Sequence, residues 1–330
     1  MKMNRRIITL FALFVFVLFT PLDTFAAAEI DLNRPSAITI SYKSEGKPLS
    51  GASFHIYRVA SVDEKGVFYA EPEFKDININ LNGGENSWHT AALALEGYIA
   101  KNKITPLESA IVDSTGYAYF MDEDINIPKG LYIILGDQHT IDDVYYEAAP
   151  VLVSLPTKNA VSNTWMYDLI VNLKFDFFSV DGDGYLTRKV LKVWDNQEES
   201  VKQPEYVTVH LLKNGDVYDT VALNQENDWR HTWSKLDAGN KWTIYEEPVK
   251  NYIVEITRDG STYVIRNTYV SPKPTPTPVP DSTPAPTPPP DSPQIDNFGQ
   301  LWWPVPILFA TGLSFIIFGI AQRRGNIYEE

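Results

Sequence analysis

The sequence predicts a mainly β protein: two β-sandwich domains in tandem, the first with an inserted helix, then a Pro-rich stalk and one C-terminal transmembrane helix. Three observations carry this reading. Between residues 29 and 270, short runs alternate apolar with polar residues and are separated by turn-forming residues, as in a sandwich. Residues 271–293 are dominated by proline. Residues 301–321 are apolar and uncharged, and a helix of about 20 such residues crosses a bilayer.

In chain order, residues 1–27 read as a secretory signal. Lys2, Arg5 and Arg6 form a basic start, Ile7 to Thr20 is an uncharged apolar run, and Ala26-Ala27-Ala28 offers small residues for cleavage. Cleavage after any of the three alanines fits. A retained N-terminal anchor is the alternative, and the apolar run is short for it.

The first domain, residues 28–178, opens with Ile38-Thr-Ile40-Ser-Tyr42 and then Ala52, Phe54 and Ile56, with Gly46-Lys-Pro48 as the turn between them. Thr90 to Lys101 carries Ala and Leu at helical spacing. Further strands are expected at Ala118–Phe120, Leu131–Leu135, Pro150–Leu155 and Tyr167–Leu173. The stretch Ser179-Val-Asp181-Gly-Asp183-Gly marks a boundary. As a calcium loop it would need an acid twelve places in. That place is Lys192, so a turn is the better reading.

The second domain, residues 185–270, shows strand and turn only. Strands are expected at Lys189–Trp194, Tyr206–Lys213, Asp216–Leu223, Asp228–Trp233, Trp242–Glu246, Tyr252–Arg258 and Ser261–Asn267.

Residues 271–293 favour polyproline II, and at about 3.1 Å per residue they reach roughly 70 Å. Trp302 and Trp303 flank the outer end of the apolar segment 301–321, and Arg323 and Arg324 follow it. Indole rings favour the headgroup region and basic residues the cytoplasmic side. The expected topology is single-pass, with the ectodomain outside and residues 322–330 inside.

Composition narrows the function. The net charge is −14, which disfavours nucleic-acid binding. There is no cysteine, so an exported chain of this kind must stabilise its domains by other means. His55, His89, His139, His210 and His231 form no close metal-ligand motif, and no nucleophile elbow or phosphate loop is present. The acids Asp122-Glu-Asp124 and Asp142-Asp143 read as solvated loop charges. No cofactor and no metal are implied, and the chain is not expected to be an enzyme. A membrane-tethered, wall-active hydrolase with its site in the first domain is the competing class.

Lys192-Val-Trp194-Asp195, Val207-Thr-Val209-His-Leu-Leu212, Trp242-Thr-Ile-Tyr-Glu246-Glu-Pro248 and Val264-Ile-Arg-Asn267-Thr-Tyr269, in that order, resemble a collagen-adhesin B-type (Cna B-type) domain of Gram-positive surface proteins. The first domain is similar to the modules that accompany such domains in pilins and adhesins. That similarity rests on Gly46-Lys-Pro48-Leu-Ser-Gly-Ala-Ser-Phe54, Lys129-Gly-Leu131-Tyr and Trp165-Met-Tyr-Asp168.

The resemblance implies immunoglobulin-like sandwiches and a surface structural or adhesive role, with an extracellular ligand or a neighbouring surface protein as partner. It also implies an intramolecular isopeptide cross-link between Lys192 and Asn267, assisted by Glu246. Burial would keep the Lys amine neutral and nucleophilic and the Glu carboxyl protonated. Closing a loop of about 75 residues would stabilise the domain by roughly 4–5 kcal/mol on the chain-entropy argument. Lys189 is the fallback nucleophile, expected on the opposite strand face. A second pair, Lys43 and Asn172, is the weaker candidate in the first domain.

The resemblance extends to Gly299-Gln-Leu-Trp-Trp-Pro-Val-Pro306, which looks like the segment after a sortase signal, normally Leu-Pro-x-Thr-Gly. The aligned Ile295-Asp-Asn-Phe-Gly299 lacks the Pro and the Thr. Retention by the membrane helix is therefore expected in place of transfer to the wall.

Overall fold

The computed structural model describes residues 29–120, 127–179, 184–196 and 203–271. The signal segment, the acids 122–124, the turn 181–183, the Pro-rich stretch and the segment 301–321 lie outside the described residues. Among the described residues no helix is long and apolar enough to cross a membrane. By its contacts the chain divides into two units, Met1–Pro272 and Lys273–Glu330. All described residues belong to the first.

The first half is built on a five-stranded sheet. Ser53–Val62 runs beside Gly130–Gly136, with Val151–Leu155 outside one and Phe68–Ala70 outside the other; Glu108–Ile111 also pairs with Ser53–Val62. Every residue of Gly130–Gly136 is buried, because the sheet is covered on both faces. One face packs Phe54, Ile56, Tyr132 and Ile134 against Ile38, Ile40 and Phe120 of a three-stranded sheet. In that sheet Ala37–Ser41 pairs in parallel with Asp168–Asn172 and antiparallel with Tyr117–Phe120. A third small sheet joins His139–Ile141, Val144–Ala148 and Phe175–Ser179.

The second half is a two-layer β-sandwich. One sheet has the order Arg230–Asp237, Tyr185–Asp195, Thr262–Tyr269, Tyr252–Asp259; the other has the order Asp216–Asn224, Tyr206–Lys213, Trp242–Glu246. The opening strand and the closing strand pair in parallel, from Lys189 beside Thr262 to Asp195 beside Thr268. The tight hairpin after Lys213 is dictated by Asn214-Gly215, both at positive φ (50° and 84°), as a two-residue turn between twisted strands requires.

The helix spans Glu85–Asn102 and begins five residues before the periodic stretch that predicts it. Its first turn, Glu85-Asn-Ser-Trp88, lacks a side-chain cap and an apolar period, so nothing in the sequence announces it. Residues 91, 92 and 94–99 are all buried, and a helix buried on most sides lies between layers. Its Ala91, Ala94, Leu95, Tyr98 and Ile99 share one core with Leu131 and Ile133 of the first half and Trp242, Ile244 and Ile256 of the second. The two halves are therefore fused through this helix, a closer union than a tandem arrangement suggests.

Polar contacts reinforce the junction. Lys241 Nζ lies 2.7 Å from Glu96 Oε1 and donates to the Gly136 carbonyl at 2.7 Å. Arg258 reaches Glu147 at 2.7 Å and Asp176 at 2.6 Å, while Arg188 reaches the other Glu147 oxygen at 3.3 Å.

Candidate cross-linking site

Strand alternation decides which side chains enter the second sandwich. On the opening strand Arg188, Val190 and Lys192 are buried while Lys189 and Leu191 are exposed. Lys189 thus faces away, as its odd spacing from Lys192 requires. On the closing strand Tyr263, Ile265 and Asn267 are buried. Lys192 stands beside Ile265 in the parallel register, so Asn267 is its diagonal neighbour, within reach of a long side chain.

Glu246 comes from the other sheet. It ends the strand Trp242–Glu246, beside Val209, and points across the sandwich. Lys192 Nζ lies 3.0 Å from Glu246 Oε1 and 3.2 Å from Oε2. Asn267 Nδ2 donates to Glu246 Oε1 at 3.3 Å. The Lys192 and Glu246 side chains are 0% and 2% exposed, and Asn267 is 1% exposed. The Lys192 ammonium position also sits 4.6 Å from the centre of the Trp194 ring. Trp194 in turn packs edge-on against Trp229 and Tyr252, so that end of the site is walled by aromatic rings.

The electrostatics follow from this dryness. Burial pushes the Lys192 amine down to about 8, against the pull of Glu246. Burial also raises the Glu246 carboxyl, against the ammonium of Lys192 and the Asn267 amide. Both shifts favour moving the proton shared by the pair from the amine towards the carboxyl. Asn267 Oδ1 is buried and has no hydrogen-bond partner among the described residues. A buried carbonyl oxygen without a donor calls for one, and a protonated Glu246 can supply it once the amide turns over. The arrangement places an amine, an amide and a carboxyl together in an apolar enclosure, the set needed for amide exchange.

The first-domain pair is not assembled in this way. Lys43 Nζ lies over the Tyr117 ring at 3.8 Å, and Asn172 is exposed.

A cleft of about 470 Å³ opens elsewhere, between the helix and the two halves, with His55, Asp137, Lys103 and Lys241 in its walls. His55 bridges Ser109 (2.7 Å) and Asp137 (3.1 Å). Ser109 is exposed in mid-strand. The carboxylates of the cleft are engaged, Glu96 with Lys241 and Asp137 with His55. Among the described residues no group of three His, Cys, Asp or Glu side chains could hold a metal ion. The triad Lys192–Glu246–Asn267 was readable only through family resemblance. Trp194 lies in the motif that carries the resemblance, but its place as a wall of the site, like those of Gly97 and Tyr98, has no signal in the sequence.

Residues 188–268 match the Cna protein B-type domain family. A curated relative, a collagen adhesin of Staphylococcus aureus, is 34% identical over 117 residues, which make up 33% of this chain. The chain spans only 9% of that adhesin's length. Among solved structures, the single B repeat unit (B1) of the collagen binding surface protein of Staphylococcus aureus is 18% identical, with 72% of this chain and 98% of that one covered, at a TM-score of 0.25. The full-length major pilin SpaD of Corynebacterium diphtheriae is 16% identical, with 74% and 66% covered, at a TM-score of 0.30. Residues 188–268 thus form a Cna B-type domain, and the stretch matched to the collagen adhesin covers a third of the chain.

Proposed function

We propose that this chain is a surface-displayed structural or adhesive protein whose Cna B-type domain is a stalk segment locked by an isopeptide bond between Lys192 and Asn267. One arrangement carries the reading: Lys192, Glu246 and Asn267 meet in a solvent-free pocket, with Glu246 in contact with both partners. In the reaction, the Lys192 Nζ lone pair attacks Cγ of Asn267. Glu246 hydrogen-bonds the carbonyl oxygen and passes a proton from Nζ to Nδ2. Ammonia leaves and an amide remains. The chain performs this step once on itself and turns over no other substrate.

Intact-mass measurement of the folded chain tests it. A mass lower than the sequence by one ammonia, with a Lys192–Asn267 linked peptide after digestion, is the expected result. An unmodified mass overturns it.

In the same reading, residues 1–27 direct export, residues 271–293 act as a spacer and residues 301–321 hold the protein in the membrane. Its partner is an extracellular ligand or a neighbouring surface protein. The flanking Trp and Arg pairs and the altered Ile295–Gly299 stretch support retention. Release from cells by detergent is expected. Release only by wall-digesting enzymes would show covalent transfer instead.

A further inference from the structure

Two strands border the open side of the second sandwich nearest the site. Trp242–Glu246 ends one sheet and Tyr252–Asp259 ends the other. The helix Glu85–Asn102, contributed by the first half, covers both. Its approach is as close as a backbone allows. A Cβ placed on Gly97 would stand 2.0 Å from the carbonyl oxygen of Ile244, two residues before Glu246. The other border is tied down as well. The Val254 N–H donates to the Asn78 carbonyl at 3.1 Å, and Thr90 Oγ1 donates to Glu255 at 2.9 Å.

Between helix and site lies a small cavity of about 20 Å³. Ala94 and Tyr98 wall it from the helix, and Glu246 and Asn267 from the sandwich. It has room for about one molecule the size of water or ammonia.

We infer that this helix is a working part of the cross-linking site: it closes the open side of the sandwich, keeps bulk water from Glu246 and Asn267, and leaves one chamber for the departing ammonia. The inference rests on the isopeptide reading above. The step balances without any further reactant. The Nζ–Cγ bond forms, the Cγ–Nδ2 bond breaks, one Nζ proton travels through Glu246 to Nδ2, and ammonia enters the chamber. Gly97 is then a positioning residue, acting through the Ile244–Glu246 backbone. With the helix lifted, water stabilises the ammonium and the carboxylate, and the amine loses its nucleophilic form. Each unit by which Lys192 returns toward an ordinary lysine leaves about tenfold less free amine at neutral pH.

The test uses the full chain in detergent, recovered in denaturant as the unfolded, uncross-linked polypeptide of full mass and then refolded, with loss of ammonia followed by intact mass between acidic and basic pH. The wild type is expected to cross-link with a bell-shaped pH profile, because the reactive pair holds one shared proton and the rate falls at high pH once that proton is lost. Gly97→Val, judged folded by tryptophan fluorescence, is expected to react at least about tenfold more slowly at neutral pH, with the high-pH fall of the profile moved to higher pH. Ala94→Val fills the chamber without touching Gly97; it is expected to slow the reaction while leaving the pH profile in place. If the wild type never loses ammonia, the isopeptide reading itself fails. If the wild type does, and Gly97→Val matches it in rate and pH profile, the helix is only a packing element and the inference is overturned. Should Gly97→Val not fold, the Ala94→Val rate decides, and a wild-type rate there overturns the role of the chamber.

Discussion

Lys192 and Glu246 face each other across the second sandwich at 3.0 Å, one from each sheet and both closed off from solvent. Glu246→Gln retains the shape of this contact but removes the group that relays the proton. The folded variant is expected to keep its full sequence mass, and its unfolding free energy to fall by roughly 4–5 kcal/mol, the loop-closure contribution of the bond. Mass spectrometry with denaturant titration checks both. A Glu246→Gln protein that still loses ammonia removes the carboxyl from the mechanism.

The pH dependence of an uncross-linked form has a definite sign. In Asn267→Ala the bond cannot form, so the Lys192 and Glu246 pair titrates. Glu246 holds its proton to higher pH in the folded state than in the unfolded one. The folded state then binds more protons above the ordinary carboxyl range, and stability falls as pH rises there. Lys192 gives up its proton near 8 when folded, against about 10.5 for an ordinary lysine. Between those values the unfolded state binds more protons, and stability rises with pH. The melting temperature of Asn267→Ala should therefore pass through a minimum near neutral to mildly basic pH. The cross-linked wild type, which has consumed the amine, should lack the rise above 8.

Burial opposes the charge of Lys241, and Glu96, with Glu147 and Asp137 beyond it, more than offsets that burial. Lys241→Met leaves the Glu96 carboxylate unpaired at the junction of the two halves, which costs about 3–5 kcal/mol. Adding Glu96→Gln removes that buried charge and should restore much of the loss. A double-mutant cycle read by denaturant unfolding measures the coupling.

Arg258 offers a contrast within one side chain. Its contact with Asp176 involves a carboxylate that is 70% exposed, so Asp176→Ala should change stability by about 1 kcal/mol or less. Its contact with Glu147 is enclosed, and Arg258→Ala leaves that carboxylate with Arg188 alone at 3.3 Å. That substitution should cost several times more, on the order of 3 kcal/mol. Equal effects would show that the junction is wetter than the packing indicates.

The strands of the second sandwich were legible because their faces differ. Tyr206–Lys213 and Trp242–Glu246 occur at the expected residues, and the fold class needed only that alternation. The short strands Glu108–Ile111, His139–Ile141 and Val144–Ala148 were not foreseen, since so few residues give no period to count. Strand Arg230–Asp237 begins two residues later than expected and runs further, because Asp228 and Trp229 are spent on a turn at positive φ. The site residues follow from resemblance; alternation puts Lys189 and Lys192 on opposite faces, and burial in the structure decides for Lys192. What stayed hidden was the junction. The partners Arg258 and Glu147 are 111 residues apart, and Gly97 reads as a flaw in a helix until the Ile244 carbonyl is seen against it.

The parallel pairing of the opening and closing strands has a consequence under tension. Once Lys192 and Asn267 are joined, a pull applied at the two ends of the sandwich runs through the new amide and bypasses the chain between them. About 75 residues, on the order of 250 Å of extended chain, can no longer be drawn out. The domain then behaves as a tether of fixed length, and any slack must come from outside it.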